Sequence, residues 1–321
     1  MREKVLVTRK LPGSMAEGLR SSFEVVLNPH DRNLTRGELF RMAEGCAGMI
    51  SLLSDTLDRE FIESHPRLKV IANCAVGYNN IDLHAAAERG IVVTNTPGVL
   101  TETTADLAWA LILALGRRVV ESDRYTREGR FGGWAPELFL GTDIYGKTLG
   151  IVGLGRIGAA VARRAAGFSM KLIYHSRSRK PELEKALGAG YRELDSLLAE
   201  ADFISLHTPL DPGTRHLLDR RRISLMKPGS FLINTSRGPL VDEGALVEAL
   251  ASGKLAGAGL DVYENEPELH PGLAGLPNTV LLPHIGSAST ETRVKMARMA
   301  AENLTAVLTG RTPPNPVPLP E

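Results

Sequence analysis

Three consecutive apolar runs end in side chains that can do acid–base chemistry on a carbonyl. Ser230–Asn234 leads into Asn234-Thr235-Ser236-Arg237-Gly238, Ala256–Leu260 into Asp261-Val262-Tyr263-Glu264-Asn265-Glu266-Pro267, and Thr279–Leu282 into Pro283-His284-Ile285-Gly286. Each run reads as a buried strand of a parallel sheet, and such sheets bind ligands outside the carboxyl ends of their strands. An arginine, a carboxylate and a histidine are therefore expected on one edge. Hydride reduction of a 2-keto acid needs this set. Arginine offers a planar fork to carboxylate or carbonyl oxygens, in a geometry lysine does not copy. Histidine, with an unperturbed pKa of about 6.5, gives a proton in one direction and takes it back in the other. A carboxylate on its second ring nitrogen fixes the tautomer and favours the charged ring. Glu266, on the neighbouring exit, is the expected partner, and Asp261 the lesser candidate. Singly, Arg237 reads equally well as a surface cation, Glu266 as a solvated loop acid and His284 as a satisfied strand-end histidine. Their succession on neighbouring exits is what argues for chemistry.

A hydride also needs a donor. Residues 147–158 read Lys-Thr-Leu-Gly-Ile-Val-Gly-Leu-Gly-Arg-Ile-Gly, a short apolar strand running into Gly153-x-Gly155-x-x-Gly158, with the small-residue helix Ala159-Ala160-Val161-Ala162 behind it. The first glycine suits a tight turn and the second a close approach of pyrophosphate to the backbone. The third suits close helix–strand packing, with Leu154, Arg156 and Ile157 between them and phosphate charge at the helix N-terminus. After the next strand an NAD site usually places an acid. Here Tyr174-His175-Ser176-Arg177-Ser178-Arg179-Lys180 has none. Guanidinium groups of Arg177 or Arg179, aided by Ser176 or Ser178, suit a 2′-phosphate, so NADP(H) is favoured with NAD(H) as a possible second cofactor.

These residues need a scaffold, and strands alternate with helices from the start, as in an α/β architecture. Strands are expected near Lys4–Thr8, Glu24–Leu27, Gly48–Ser51, Val70–Ala72 and Ile91–Val93, with helices between them, for example Ser14–Ser21 and Leu83–Glu88. This first part carries no phosphate turn and reads as a smaller, flavodoxin-like domain. Thr101 is the expected N-cap of a helix through Ala105, Leu107, Trp109, Leu111, Ile112 and Leu115, apolar nearly all round and so expected to be buried on every side. Arg127–Tyr145 reads as a loop whose Phe131, Trp134 and Phe139 serve packing. Six strands from Leu149 to Leu282 (Leu149–Val152, Lys171–His175, Asp202–Leu206 and the three above) form a doubly wound, Rossmann-type domain. A helix over Glu291–Leu308 leads to a proline-rich tail, expected to lie extended over its own domain rather than to serve as a PxxP ligand.

The bulk numbers agree. A chain of 321 residues makes two domains, and 43% hydrophobic with 23% charged residues is a globular composition. A net charge of +1 recommends neither nucleic acid nor an anionic membrane. Cys46 and Cys74 lack metal-ligand spacing and read as buried thiols. The N-terminus enters a strand without a signal-peptide apolar core, and the longest apolar run, Leu107–Leu115, is too short for a bilayer, so a cytoplasmic protein is expected.

Gly153-Leu-Gly-Arg-Ile-Gly, His207-Thr-Pro-Leu, Asn234-Thr-Ser-Arg-Gly, Gly259-Leu-Asp-Val-Tyr-x-x-Glu-Pro and Leu282-Pro-His-Ile-Gly together resemble the D-isomer-specific 2-hydroxyacid dehydrogenases, most of all their glyoxylate and hydroxypyruvate reductases. Val76-Gly-Tyr-Asn-Asn-Ile-Asp and the Thr101–Arg118 helix extend the likeness to nearly the whole chain. The resemblance implies a substrate domain split between residues 1–98 and 288–321, a dinucleotide-binding domain over 99–287, a cleft between them, and a homodimer joined mainly through the cofactor domains. It implies Arg237 for substrate, His284 as acid/base and Glu266 as its partner. It implies the backbone around Val76 and Gly77, with Leu53, for the substrate carboxylate, and Thr104, His207, Pro209, Thr235, Asp261 and Gly286 as cofactor-lining positions. The D configuration of the product rests on the resemblance alone. The acid at Glu266 speaks against a formate dehydrogenase, which carries an amide there. The alternatives are a dehydrogenase of 2-ketogluconate or phosphoglycerate, or a dinucleotide-sensing corepressor-like binding protein. Asn79, Asn80, Trp134 and Phe139 are candidates for substrate discrimination.

Overall fold

Short runs of Val, Ile, Leu and Met that are apolar on both faces can only be satisfied inside a sheet covered on both sides, and the chain builds two such sheets. The computed structural model describes residues 2–13 and 15–320. Met1, Ser14 and Glu321 lie outside the described residues, so the first position of the helix expected over Ser14–Ser21 is outside them too. The chain forms two compact units, Met1–Leu100 with Ser287–Glu321, and Thr101–Gly286.

In the first unit, β1 (Lys4–Val7), β2 (Glu24–Leu27), β3 (Gly48–Ser51), β4 (Val70–Asn73) and β5 (Val92–Thr94) pair in parallel in the order β2-β1-β3-β4-β5. That is the flavodoxin-like order. Val5, Leu6, Met49, Ile50, Val70 and Ile71 are buried. The helix Thr290–Leu308, started by Ser289 whose hydroxyl accepts the Thr292 N–H, lies against this sheet. A methyl at Gly48 would stand 2.8 Å from Val70 Cγ1 and 3.3 Å from Leu304 Cδ1, so the missing side chain is what lets that helix sit close. The proline-rich tail does lie on its own unit. The Val317 N–H donates to the Val93 carbonyl (2.8 Å), and Pro316 bridges antiparallel to Thr94.

The second unit carries β6 (Thr148–Val152), β7 (Lys171–His175), β8 (Gly190–Tyr191), β9 (Phe203–Leu206), β10 (Ser230–Asn234), β11 (Leu255–Leu260) and β12 (Thr279–Leu281), all pairs parallel, in the order β12-β11-β10-β9-β6-β7-β8. This is a doubly wound sheet that reverses between β6 and β9, and it has seven strands rather than the expected six. The strand missed is β8, an edge of two residues. One face is covered by the helices Thr101–Gly116 and Arg156–Ala165, the other by Leu194–Glu200, Arg220–Leu225 and Glu243–Ala251.

Two expectations need correction here. The helix Thr101–Gly116 begins at Thr101 rather than being capped by it, and it is not buried all round: Glu102, Asp106 and Ala110, four apart, form an exposed line. Glu102 and Asp106 pair with Arg163 and Arg164. The opposite side is core, where Trp109 stacks on Phe168 at 4.6 Å and donates to the Val161 carbonyl at 3.0 Å. Burying a side chain such as Leu111 there contributes about 1.5–3 kcal/mol. Secondly, of the loop aromatics expected to pack, Phe131 and Trp134 are exposed, Trp134 at 85%; a further helix, Val119–Arg127, with no buried residue, precedes that loop. Among the described residues, the exposed large hydrophobics other than Leu225 and Leu269 all fall between 119 and 145. Also among them, no helix is long and apolar enough to cross a membrane, and no acidic, histidine or cysteine cluster could hold a metal. Both cysteines are free and buried, and burial pushes the Cys74 thiol up to about 12.

Candidate active site

The carboxyl ends of β6, β7, β9, β10, β11 and β12 all open on one edge of the second sheet, because every pair is parallel. The first turn on that edge is the glycine loop, and its three glycines differ in surroundings. Gly153 stands at φ +98°, a conformation L side chains avoid, and a methyl on it would meet the His207 carbonyl at 2.7 Å. A methyl on Gly158 would lie 2.1 Å from the Gly153 oxygen, so helix and strand touch there. A methyl on Gly155 would meet nothing within 4 Å. Gly155 is also the residue ahead of the helix Arg156–Ala165, and no side chain caps that helix. Its first N–H groups and the positive end of its dipole thus face open space above a glycine, a phosphate cradle. At the exit of β10 the buried Thr235 hydroxyl has no partner among the described residues, a polar group left for a ligand. These residues fit a dinucleotide.

The loop after β7 divides the residues expected to meet a 2′-phosphate. The Ser176 hydroxyl accepts the Leu154 N–H at 2.7 Å and so shapes the glycine loop. Arg179 is held by Glu184 (Nη2–Oε2, 2.7 Å), which also accepts the Tyr174 hydroxyl, so its charge is already matched. Arg177 is exposed and, among the described residues, has no hydrogen-bond or ion-pair partner. On the exit of β9, the His207 ring meets the Ser205 hydroxyl at 2.8 Å (Nε2–Oγ), and burial lowers its pKa well below the usual histidine range. A neutral ring results. Pro209, two residues on, is exposed.

On the far exits the expected trio comes together. His284 Nδ1 and Glu266 Oε2 are 2.8 Å apart. The ring therefore donates to the carboxylate through Nδ1, and Nε2 makes no hydrogen bond among the described residues. Burial raises the Glu266 pKa. The bond and charge of His284, the Tyr263 N–H and the charge of Arg237 outweigh it, so the carboxyl sits below its ordinary value. Arg237 is half-buried beside them, with Nη1 donating to the Ser236 carbonyl at 2.6 Å, and burial lowers its pKa against the pull of Glu266. Its guanidinium stays charged at any ordinary pH.

His284 stands at φ +55°, unusual for a residue with a Cβ, and such a conformation persists only where neighbours fix it. Asp261 fixes it. One carboxylate oxygen accepts the Ile285 N–H and the other the Gly286 N–H, each at 2.7 Å, and Asp261 is fully buried. Burial raises its pKa, and the two N–H bonds oppose that. Asp261 is thus not a second partner for the imidazole. It clamps the turn that presents it, with Thr104 packed against Gly286. Sequence reasoning also missed Glu243, buried at the start of the helix Glu243–Ala251, whose Oε1 accepts the Glu264 N–H at 2.7 Å. Its signal would have been an acid directly after the N-cap Asp242, beside the loop it holds.

Leu53, Val76 and Gly77 belong to the first unit, just past the ends of β3 and β4. The Gly77 carbonyl accepts from the buried Asn73 amide (2.8 Å) and the Val76 carbonyl from Asn95 (2.8 Å). Asn80 donates to the Leu52 and Asp55 carbonyls on either side of Leu53, and so shapes that loop.

Comparison with known proteins matches residues 109–286 to the NAD binding domain of the D-isomer specific 2-hydroxyacid dehydrogenases. The glyoxylate reductase of Thermococcus litoralis is 50% identical over 319 residues, covering 98% of this chain and 96% of that protein. A crystal structure of a protein from Thermus thermophilus superposes with a TM-score of 0.92 at 52% identity, over 98% of this chain and all of the other. The NADPH-dependent glyoxylate/hydroxypyruvate reductase of Sinorhizobium meliloti, solved in complex with NADP and malonate, superposes with a TM-score of 0.86 at 35% identity, over 99% of this chain and 97% of that one.

Proposed function

This chain belongs to the D-isomer specific 2-hydroxyacid dehydrogenases, NAD(P)-dependent oxidoreductases, and on that premise we propose that it reduces glyoxylate or hydroxypyruvate to the D-2-hydroxy acid, glycolate or D-glycerate. The observation that carries the reading is the 2.8 Å bond between His284 and Glu266 on the sheet edge that also holds the glycine cradle and Arg237. The reduced nicotinamide, when bound, supplies the hydride. Arg237 binds the keto acid through its fork and polarises the carbonyl. Protonated His284, held by Glu266 through Nδ1, gives the proton on Nε2 to the carbonyl oxygen as it gains charge, and in oxidation Nε2 takes it back. The anion of Glu266 supports the charged ring while the proton waits. Leu53 and the backbone at Val76 and Gly77 are proposed for the substrate carboxylate. Thr104, Leu154, Arg156, Ile157, His207, Pro209, Thr235 and Gly286 are proposed to line the cofactor, and Asp261 to support them.

NADPH is the proposed preference, and it rests on Arg177. The chain has no acid at the end of β7 to repel a 2′-phosphate, and Arg177 is exposed there with no carboxylate paired to it among the described residues. The exposed hydrophobics between residues 119 and 145 support a homodimer, since Trp134, Leu140 and Tyr145 would gain by being covered. The direct test is loss of nicotinamide absorbance with NADPH and then NADH, against glyoxylate, hydroxypyruvate, pyruvate, 2-ketogluconate and phosphohydroxypyruvate. Fast turnover of the first two, better with NADPH, is expected. No turnover of any, with tight cofactor binding, would refute the reading.

A further inference from the structure

Glu266 and His284 sit on loops that leave different strands, β11 and β12, and nothing in the pair itself holds those loops in register. Their separation at the hydrogen bond must be kept to a few tenths of an ångström for the ring to be held at all. Asp261 ties the β11 exit to the backbone just after His284, and Tyr263 ties it to the backbone just before. The Tyr263 N–H donates to Glu266 Oε1 at 3.1 Å, on the oxygen that His284 does not use. The Tyr263 hydroxyl donates to the Leu282 carbonyl at 2.8 Å, two residues before His284. Its ring is buried, and burial with the nearby carboxylates of Asp261 and Glu266 pushes the phenol up to about 12, so it is a donor at every working pH. The third loop is in contact as well. A methyl on Gly238, next to Arg237, would fall 1.8 Å from the Tyr263 carbonyl carbon, so the two backbones lie directly on each other.

We propose that Tyr263 is a positioning residue for this reaction: its N–H orients the carboxylate of Glu266, its hydroxyl fixes the strand exit that carries His284, and its backbone seats the loop of Arg237. The inference rests on the roles given to Glu266 and His284 above. Its distinctive content is that Tyr263 acts through the pair and not through the stability of the fold. The groups facing the pair are Arg237 at the β10 exit, Asp261 at the β11 exit and Glu243 on the helix Glu243–Ala251, and all three remain when only the phenol oxygen is removed.

The test is a cycle on the full-length protein: Tyr263→Phe, Glu266→Gln and the two combined, with kcat and kcat/KM measured from about pH 5 to 9 and melting curves as a check on folding. Tyr263→Phe is expected to melt near the parent and to lower kcat by about tenfold, the equivalent of one ordinary hydrogen bond. It should leave the KM for the cofactor unchanged and move the limb of the pH profile set by the acid. In the Glu266→Gln background the same change should do almost nothing, because the link it served is gone. Equal losses in both backgrounds, or an unmoved pH profile, would overturn the proposal while leaving the pair in place. Parental kcat for Glu266→Gln alone would instead overturn the role of the pair, and the inference with it.

Discussion

The glycine loop offers a prediction in which two neighbouring, chemically identical substitutions part company. Gly155→Ala and Gly158→Ala each add one methyl. At 158 the methyl lies 2.1 Å from the Gly153 oxygen and 3.1 Å from Ile151 Cγ2, both firmly placed, so strand and helix must separate by about 1 Å. Overpacking of that kind costs about 1–3 kcal/mol. In a domain of this size, each kcal/mol moves the melting temperature by about 2–4 °C, so a fall of roughly 2–12 °C is expected. At 155 the methyl meets no atom, and φ −85° with ψ −161° is open to any residue, so melting should stay within about 2 °C of the parent. The same methyl occupies the space through which phosphate reaches the helix N–H groups. Losing one charge-assisted hydrogen bond of about 1.5–3 kcal/mol weakens the cofactor by roughly 10- to 150-fold. Calorimetric melting and titration with NADPH measure the two quantities on the same samples. Parental cofactor affinity in Gly155→Ala would refute the cradle. Parental melting in Gly158→Ala would refute the packing argument.

Other expectations follow from the same edge. His284→Ala should lower kcat by about 10²- to 10⁴-fold in steady-state assays, and near-parental turnover would remove it as the acid/base. Arg177→Asp should raise the KM for NADPH far more than that for NADH. Arg179→Ala should do less, because Glu184 already neutralises that guanidinium, and the reverse ranking would count against Arg177. Glu243→Gln keeps an acceptor for the Glu264 N–H but removes a carboxyl whose folded-state pKa burial has raised. An acid raised on folding costs stability as pH climbs from its unfolded value through its folded one. Denaturant melts should therefore show the variant equal to the parent in acid and more stable above the usual carboxylate range, and a gain present only in acid would contradict the sign.

The sequence displayed what side-chain type and order can display. Strands buried on both faces are unbroken apolar runs, so eleven of twelve were legible, while β8, two residues of edge, carries no such pattern. The helix Val119–Arg127 buries nothing and so shows no apolar stripe. The helix Thr101–Gly116 reads as apolar nearly all round, because alanine counts as apolar, yet Ala110 stands in line with Glu102 and Asp106 on the exposed side. Arg237, Glu266 and His284 were legible from strand order, since parallel pairing puts successive exits on one edge. The supports of that trio were not. Asp261, Glu243 and Tyr263 each work by joining a side chain to a backbone group, and backbone groups are the same in every sequence. Choosing between Arg177 and Arg179 likewise required knowing where Glu184 comes to rest.

The path of the chain has a consequence for biosynthesis. The first unit is completed by the helix Thr290–Leu308 and the bridge at Pro316, which are translated only after the whole of the second unit. As the chain leaves the ribosome, residues 1–100 lack the helix that lies on β3 and β4, and Gly48 has no Leu304 beside it. The second unit, continuous in sequence from Thr101 to Gly286, holds all its own strands and can close first. Maturation of the nascent chain therefore runs from the middle outwards, and the early sheet is the part that must be kept from sticking to its neighbours until synthesis is nearly done.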